Sequence, residues 1–233
     1  MKLSVPLQSA DPRAETRQAI LDAAEQLFAS SGVHGTSVRD ITKAAGVNLG
    51  SINYHFQTKE LLILEVFARR LEPVNRRRLS ALNALETEAN GAPLPLEKIL
   101  DAFIRPAIEN DENQEHHHSF LQLMSRCLQE PSDELHAFVK RQFDELATRF
   151  NTAILRSLPG LVFGDLFWQM SFLCGGLHHT LAVWARFDSY PVVGWEGERP
   201  ERPHREALIR SLVASAAAGM RASSSNRPDP SSL

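Results

Sequence analysis

Apolar residues recur every three or four positions along most of this chain, and that spacing predicts helices. The first predicted helix covers residues 13–30, where one face carries Ile20, Ala23, Ala24, Leu27 and Phe28. No segment alternates apolar and polar residues over a useful length, so no strand is expected. The pattern predicts an all-helical protein.

Short helices are predicted directly after the first one. Ser37 is a good N-cap with Asp40 three residues later, so a second helix begins there. Gly46 ends it, because a sharp turn between short helices needs one residue at positive φ. Asn48 caps a third, very short helix over 49–54. Two short helices around a glycine turn are typical of a helix-turn-helix motif.

Longer helices are predicted from Thr58 onward, where this residue caps the next helix. Pro73 is placed in the first turn of its helix, and Pro106 is expected to kink or split the helix that contains it. The stretch 188–203 is rich in Pro and Gly and predicts a long loop. The predicted spans are 59–72, 73–88, 96–110, 115–130, 132–157, 163–187 and 203–222.

Composition limits the class of protein. With 233 residues and 43% hydrophobic content, the chain can bury a sizeable core. It begins without a signal-peptide pattern and has no apolar run of membrane-spanning length, so a cytoplasmic protein is expected. Cys127 and Cys174 lie far apart and outside any CxxC spacing, so neither a disulfide framework nor a zinc site is indicated.

Charge is distributed unevenly although the net value is only −3. Residues 1–80 hold 11 Lys and Arg against 8 Asp and Glu, whereas the remainder holds 14 against 20. Phosphate binding usually comes with an excess of Lys and Arg. The N-terminal third is therefore the part of the chain that could approach DNA.

The third helix has the residues of a DNA reader. A helix that enters the major groove needs small or polar residues near its N-terminus, as at Gly50, Ser51 and Asn53. Asn53 can pair with an adenine edge, Ser51 can bond a base or a phosphate, and Leu49 can touch a thymine methyl. Donors one turn later would meet phosphates; they are Tyr54, His55 and Lys59.

Each of these residues also has a purely structural interpretation. Tyr54 and Phe56 could pack beneath the helix, and for Phe56 that role is favoured. Asn48 could serve only as a helix cap. A lone cation such as Arg39 or Lys59 is more often part of a solvated face.

The segment Thr36–Leu62 resembles the DNA-binding signature of the TetR family, from SVR at 37–39, in the place of the family's T-hydrophobic-R, through AGV at 45–47 to HF-x-x-K at 55–59. The resemblance implies operator contacts by Ser37, Arg39, Ser51, Asn53, Tyr54, His55 and Lys59, with Gly50 allowing close approach. Asn53 departs from the family, which usually carries tyrosine there, so the operator sequence does not transfer. The implied function is a one-component regulator, a repressor released by its ligand.

The resemblance also implies a homodimer, in which the last two long helices pack against the same pair of a second copy. Two readers about 34–36 Å apart would then meet a roughly palindromic operator. The predicted dimer residues are Leu177, Leu181, Trp184, Leu208, Leu212 and Val213.

The ligand is expected to be small and largely apolar. The stretch LFWQMSFLCGGLHHT resembles the PsrA-like branch of the family, which implies a fatty acid or an acyl-CoA. An aromatic or drug-like compound that controls an efflux or catabolic operon is the alternative. For any single predicted pocket residue, a place in the ordinary core is the favoured interpretation. The predicted pocket residues are Phe103, Leu121, Met124, Phe143, Phe172, Cys174 and His178.

Two other classes remain open: an all-helical enzyme and an interaction module that does not bind DNA. The sequence shows no Gly-rich loop after a strand, no HExxH and no cofactor motif. His116, His117 and His118 are consecutive, and on a helix they point about 100° apart, so no metal site is expected. The predicted organisation is an arm over 1–12, a DNA-binding domain over 13–60, a ligand-binding and dimerisation domain over 61–223, and a disordered tail over 224–233.

Overall fold

The computed structural model describes residues 11–109, 133–191 and 197–225, and every regular element among them is an α-helix. The described residues divide into two compact units. The first contains residues 11–70 and 133–136, and the second contains residues 71–109, 137–191 and 197–225. The predicted all-α class is confirmed.

Three helices pack together in the first unit: α1 (Pro12–Gly35), α2 (Val38–Ala45) and α3 (Leu49–Phe56). The side chain of Asp11 caps α1 by accepting a hydrogen bond of 3.0 Å from the Arg13 N–H. The predicted end of this helix is too early, because a further helical turn follows Gly32. Gly32 itself is non-helical, at φ 77° and ψ 166°, and marks a kink.

Helix α4 (Lys59–Ala89) is continuous, so the prediction of separate helices over 59–72 and 73–88 is wrong. A proline inside a helix removes one backbone hydrogen bond and costs about 3 kcal/mol. Burial offsets that cost here, because Leu71 and Asn75 on either side of Pro73 are both buried. Packing against the rest of the protein therefore holds the helix through its proline.

The second unit contains the C-terminal part of α4 and the helices α5 (Leu96–Glu109), α6 (Asp133–Ser157), α7 (Phe163–Ala185) and α8 (Arg205–Ser225). Helix α5 runs through Pro106 without a break, so of the two predicted outcomes, a kink or a split, the split is wrong. It is the most buried helix of the unit, and α8 packs against both α5 and α7. The helix predicted over 115–130 lies outside the described residues.

None of the helices in the described part of the chain has the length and apolarity needed to cross a membrane.

Candidate DNA-binding site

Helix α2 is fixed at its start by a capping box. The Ser37 hydroxyl accepts a hydrogen bond from the Asp40 N–H at 3.2 Å, and the Asp40 carboxylate accepts one from the Ser37 N–H at 2.9 Å. Hydrogen bonds from Ser37 hold the pKa of Asp40 below its usual value. The predicted N-cap is confirmed, and it sets where α2 begins.

The turn between α2 and α3 depends on Gly46. Its φ of 67° lies in the left-handed region, and a Cβ there would meet no atom within 4 Å. Glycine is therefore needed for its backbone conformation and not for space. The Val47 N–H donates to the Thr42 carbonyl at 3.0 Å, and the Asn48 side chain then caps α3 by accepting from the Ser51 N–H at 3.0 Å.

Helix α3 has one buried face and one exposed face. Ile52 and Phe56 are only 1% and 3% exposed and pack into the first unit. Leu49 and Tyr54 are 50% and 66% exposed, and Gly50 and Asn53 also face solvent. The structure thus leaves the small and polar residues of the predicted reader accessible, while its other face is buried in the first unit.

The other predicted contact residues are placed differently. Ser51 is half-buried, and its hydroxyl donates to the Asn48 side chain at 3.2 Å. His55 is also half-buried, with its ring edge-on to Tyr54 at a centroid distance of 4.9 Å. Ser37 and Arg39 are exposed at the start of α2.

Lys59 has a structural contact that sequence reasoning did not predict. Its ammonium donates to the Val33 carbonyl near the C-terminal end of α1 at 2.6 Å. A cation at that position also interacts favourably with the helix dipole of α1. Lys59 therefore ties the start of α4 to α1 in this structure.

Sequence reasoning also missed an ion-pair cluster between α1 and α4. Glu25 is fully buried and accepts from Arg70 Nε at 3.0 Å and from Arg69. Arg69 also pairs with Asp22 at 2.7 Å. Glu25 directly follows the buried Ala24 on the apolar face of α1, and that acidic residue within a core stripe was the available signal.

In the second unit, the described residues that were predicted to line a pocket differ in burial. Phe103 is buried, with the Phe150 ring 5.3 Å away and the Arg78 guanidinium 4.1 Å above its ring. Burial lowers the pKa of Arg78. Phe172 and Cys174 are exposed instead, at the surface of α7. Phe143 and His178 are half-buried, and Leu121 and Met124 lie outside the described residues.

The residues predicted for the dimer contact also differ in burial. Leu177, Leu181 and Val213 are buried within the single chain, and Leu208 and Leu212 are half-buried. Trp184 is half-buried, and its indole N–H donates to the Pro203 carbonyl at 3.0 Å. A different set of large side chains on α7 is 55–65% exposed, consisting of Phe163, Phe167, Trp168 and Phe172.

Comparison with known families agrees with this geometry. Residues 20–66 match the model of bacterial regulatory proteins of the tetR family. Residues 101–219, about half of the chain, match the model of the tetracyclin repressor-like C-terminal domain.

The chain belongs to the TetR family. Similarity to curated family members is concentrated in part of their length. The chain is 51% identical to the transcriptional regulator AcrR of Shigella flexneri over 53 residues, 23% of this chain and 25% of AcrR. It is 39% identical to the transcriptional repressor KstR2 of Rhodococcus jostii over 61 residues, 26% of this chain and 30% of KstR2. It thus spans less than a third of the length of these two relatives.

Solved structures of TetR-type proteins share the fold over most of the chain. A TetR-family regulator from Bordetella parapertussis aligns with a TM-score of 0.60 at 17% identity, covering 86% of this chain and 93% of that one. The fatty acid degradation regulator FadR from Bacillus halodurans aligns with a TM-score of 0.55 at 18% identity, covering 92% and 99%. At such identities the likeness establishes the fold alone.

Proposed function

We propose that this TetR-family chain is a transcriptional regulator that binds operator DNA through α3, acts as a homodimer and is released by a small apolar ligand. The proposal rests on α3, which has one buried face and one exposed face. Ile52 and Phe56 anchor it in the core, while Gly50 and Asn53 stay accessible within the segment that matches the family model. Curated relatives named as transcriptional repressors favour repression over activation.

Asn53 is the base-reading residue in this proposal. Its exposed amide can donate to and accept from one adenine edge, and such a paired contact discriminates against a wrong base by about 1–3 kcal/mol. Leu49 supplies an apolar contact for a thymine methyl. Ser37, Arg39 and Tyr54 would hold phosphates, which fixes the docking register.

Lys59 has two roles in the proposal. One of its three ammonium donors is used by the Val33 carbonyl, and the others remain for a phosphate. Ser51 and His55 are half-buried, so they would support α3 and touch DNA only at its edge.

The dimer would form along α7. Members of this family form dimers, and exposed Phe167, Trp168 and Phe172 leave apolar area that a second copy would cover. Burial of apolar area contributes roughly 25 cal/mol per Å². In this arrangement the buried side chains of Leu177, Leu181 and Val213 pack within the single chain and support the helices. The half-buried residues Trp184, Leu208 and Leu212 lie at the edge of the dimer contact.

A fatty acid or acyl-CoA is the proposed effector. The support is the resemblance of the α7 segment to the PsrA-like branch, together with the apolar surfaces of the second unit. An aromatic or drug-like compound is the alternative effector, and native mass spectrometry of ligand retained by the purified protein would separate the two.

The DNA proposal is tested by selecting an operator from a random duplex pool with the wild-type chain. Asn53→Ala should then lose about tenfold to a hundredfold of the preference for the selected site, because one paired base contact is removed. Arg39→Ala should weaken all duplexes alike and lower the salt dependence by about one phosphate contact. Both effects are read by fluorescence anisotropy.

Gln26→Ala is the matched control, since Gln26 is exposed on α1. It should bind as the wild type does. If the selection yields no preferred sequence, the DNA-binding proposal is wrong, and the enzyme and the interaction module become the favoured interpretations.

A further inference from the structure

The junction between α3 and α4 is a tight turn centred on one residue. Helix α3 ends at Phe56, and the Thr58 hydroxyl accepts a hydrogen bond from the Leu61 N–H at 3.2 Å, as an N-cap of α4 does. Between them, Gln57 has φ 64° and ψ −55°, and the Thr58 N–H donates to the Phe56 carbonyl at 2.7 Å. These angles and this hydrogen bond define a γ-turn of the rare type with positive φ. The backbone of Gln57 therefore sets the angle between the two helices.

The turn at Gln57 is strained. At positive φ the Cβ of a non-glycine residue lies too close to the backbone. Among the described residues, Gln57 and Asn90 are the non-glycine residues at positive φ. Asparagine tolerates that region, whereas the exposed Gln57 side chain forms no hydrogen bond with the described residues that would favour it. A residue stays in such a conformation only when the structure around it holds it there.

A cation on α1 holds both sides of this turn. The guanidinium of Arg17 lies 5.3 Å from the centroid of the Phe56 ring, which is within the range of a cation–π contact. The same guanidinium donates to the Glu65 carboxylate of α4 at 2.5 Å. Arg17 thus contacts the last residue of α3 and the second turn of α4 at once.

Two further features hold the helix ends that meet at Gln57. Phe56 is only 3% exposed, so its ring is fixed in the core of the first unit. Lys59, the first residue of α4, donates to the Val33 carbonyl of α1 at 2.6 Å. The turn can therefore relax only if one of these contacts breaks.

We propose that Gln57 and Arg17 are positioning residues for α3: the strained turn sets the angle at which α3 meets α4, and Arg17 holds Phe56 at that angle. This inference rests on the proposed DNA-binding function of α3. Neither residue needs to touch a base in this role. A helix that is already held in its binding orientation loses less freedom when it binds, so the restraint raises operator affinity.

The first test is Gln57→Gly in the full-length protein, measured by urea denaturation and by anisotropy with the selected operator. Glycine adopts positive φ without the steric penalty, so the urea midpoint should rise by about 0.5 M. The same change frees the angle between the helices, so the Kd for the operator should rise about fivefold. A turn with a merely structural role would gain stability and keep its operator affinity.

Asn90→Gly is the matched control for this variant. Asn90 is exposed directly after the end of α4, in the second unit, and has φ 46°. Its replacement by glycine is the same kind of backbone change at a site away from α3. Asn90→Gly should therefore bind the operator as the wild type does.

The second test is Glu65→Gln, which removes the carboxylate that holds Arg17. If charge alone decided the result, loss of a negative charge from the first unit would tighten binding to any duplex. The positioning role predicts the opposite sign, because the contact of Arg17 with Phe56 is weakened, and the Kd for the operator should rise about threefold. Glu60→Gln is the matched control, since Glu60 is exposed in the first turn of α4 and forms no ion pair with the described residues. It should not weaken operator binding.

The two variants test the two residues separately. An operator Kd at or below the wild-type value would overturn the role of the turn if it is found in Gln57→Gly, and the role of Arg17 if it is found in Glu65→Gln. In both cases the wild type still prefers its selected operator, so the proposed regulator stands. A wild type that selects no operator would overturn the regulator and the positioning roles together.

Discussion

Helices α3 and α7 both expose large apolar side chains, but in different patterns. On α3, exposed Leu49 and Tyr54 are separated by the accessible Gly50 and Asn53. On α7 the exposed aromatics are neighbours: the rings of Phe167 and Trp168 are 5.4 Å apart, and those of Trp168 and Phe172 are 6.4 Å apart. One surface is interleaved with polar groups, and the other is contiguous.

The two patterns suit different partners. Base edges and phosphates need hydrogen-bonding groups between the apolar contacts, as on α3. A contiguous exposed apolar patch, as on α7, is typical of a protein–protein or membrane interaction site. An exposed aromatic residue therefore indicates the kind of partner only when the side chains around it are also considered.

The largest expected effect comes from breaking the aromatic surface. Phe167→Asp/Trp168→Asp places two charges in the proposed contact, and an unpaired charge in an interface costs several kcal/mol. We expect this variant to sediment as a monomer at micromolar concentration and to lose at least a hundredfold in operator affinity. Sedimentation velocity and anisotropy measure the two effects.

Leu49→Asp is the matched variant on α3. It should weaken operator binding while the protein remains a dimer. If the α7 double variant sediments like the wild type, the contrast between the two helices is wrong.

An intermediate effect is expected at the buried ion-pair cluster between α1 and α4, which is complete within one chain. Glu25→Gln leaves Arg69 and Arg70 without their buried carboxylate, and breaking a buried pair in this way costs about 3 kcal/mol. Urea denaturation should show this loss, with the dimer unaffected under native conditions.

Glu65→Gln is the control for that measurement. Glu65 is half exposed and pairs with Arg17 at 2.5 Å, so its loss should cost less than about 1 kcal/mol. Equal destabilisation by the two variants would mean that burial of Glu25 does not matter.

The smallest effect concerns the capping box of α2. Because its folded pKa is lowered, ionised Asp40 stabilises the helix above the ordinary carboxyl pKa, and this contribution disappears as the pH falls through the lowered value. Ser37→Ala removes the responsible hydroxyl, so the pKa of Asp40 should rise towards its ordinary value. NMR titration of the Asp40 carboxyl measures the change.

Ser37→Thr keeps a hydroxyl and should keep the pKa low. An Asp40 pKa that is the same in all three proteins would show that Ser37 does not set it.

Much of the local architecture around α3 could be predicted. The caps at Ser37 and Asn48 and the turn at Gly46 depend on atoms within four residues, so the local sequence contains the information. The family resemblance of this segment is confirmed for the same reason, since its motif is short and continuous.

Features that depend on distant residues could not be predicted in this way. Lys59 bonds a carbonyl 26 residues earlier, and Glu25 meets Arg70 across 45 residues. Continuity of α4 through Pro73 likewise depends on burial of its flanks. In each case a local rule was outweighed by a contact that no local pattern contains.

The sequence by itself determined the helical class, the caps and the outward residues of α3, because hydrogen bonds within a turn and helical periodicity are local properties. Only the tertiary structure decided that Phe172 and Cys174 face outward while Leu177 and Leu181 are buried. Helix α7 is apolar on several sides, so its periodicity does not choose a core face, and packing against α8 makes that choice.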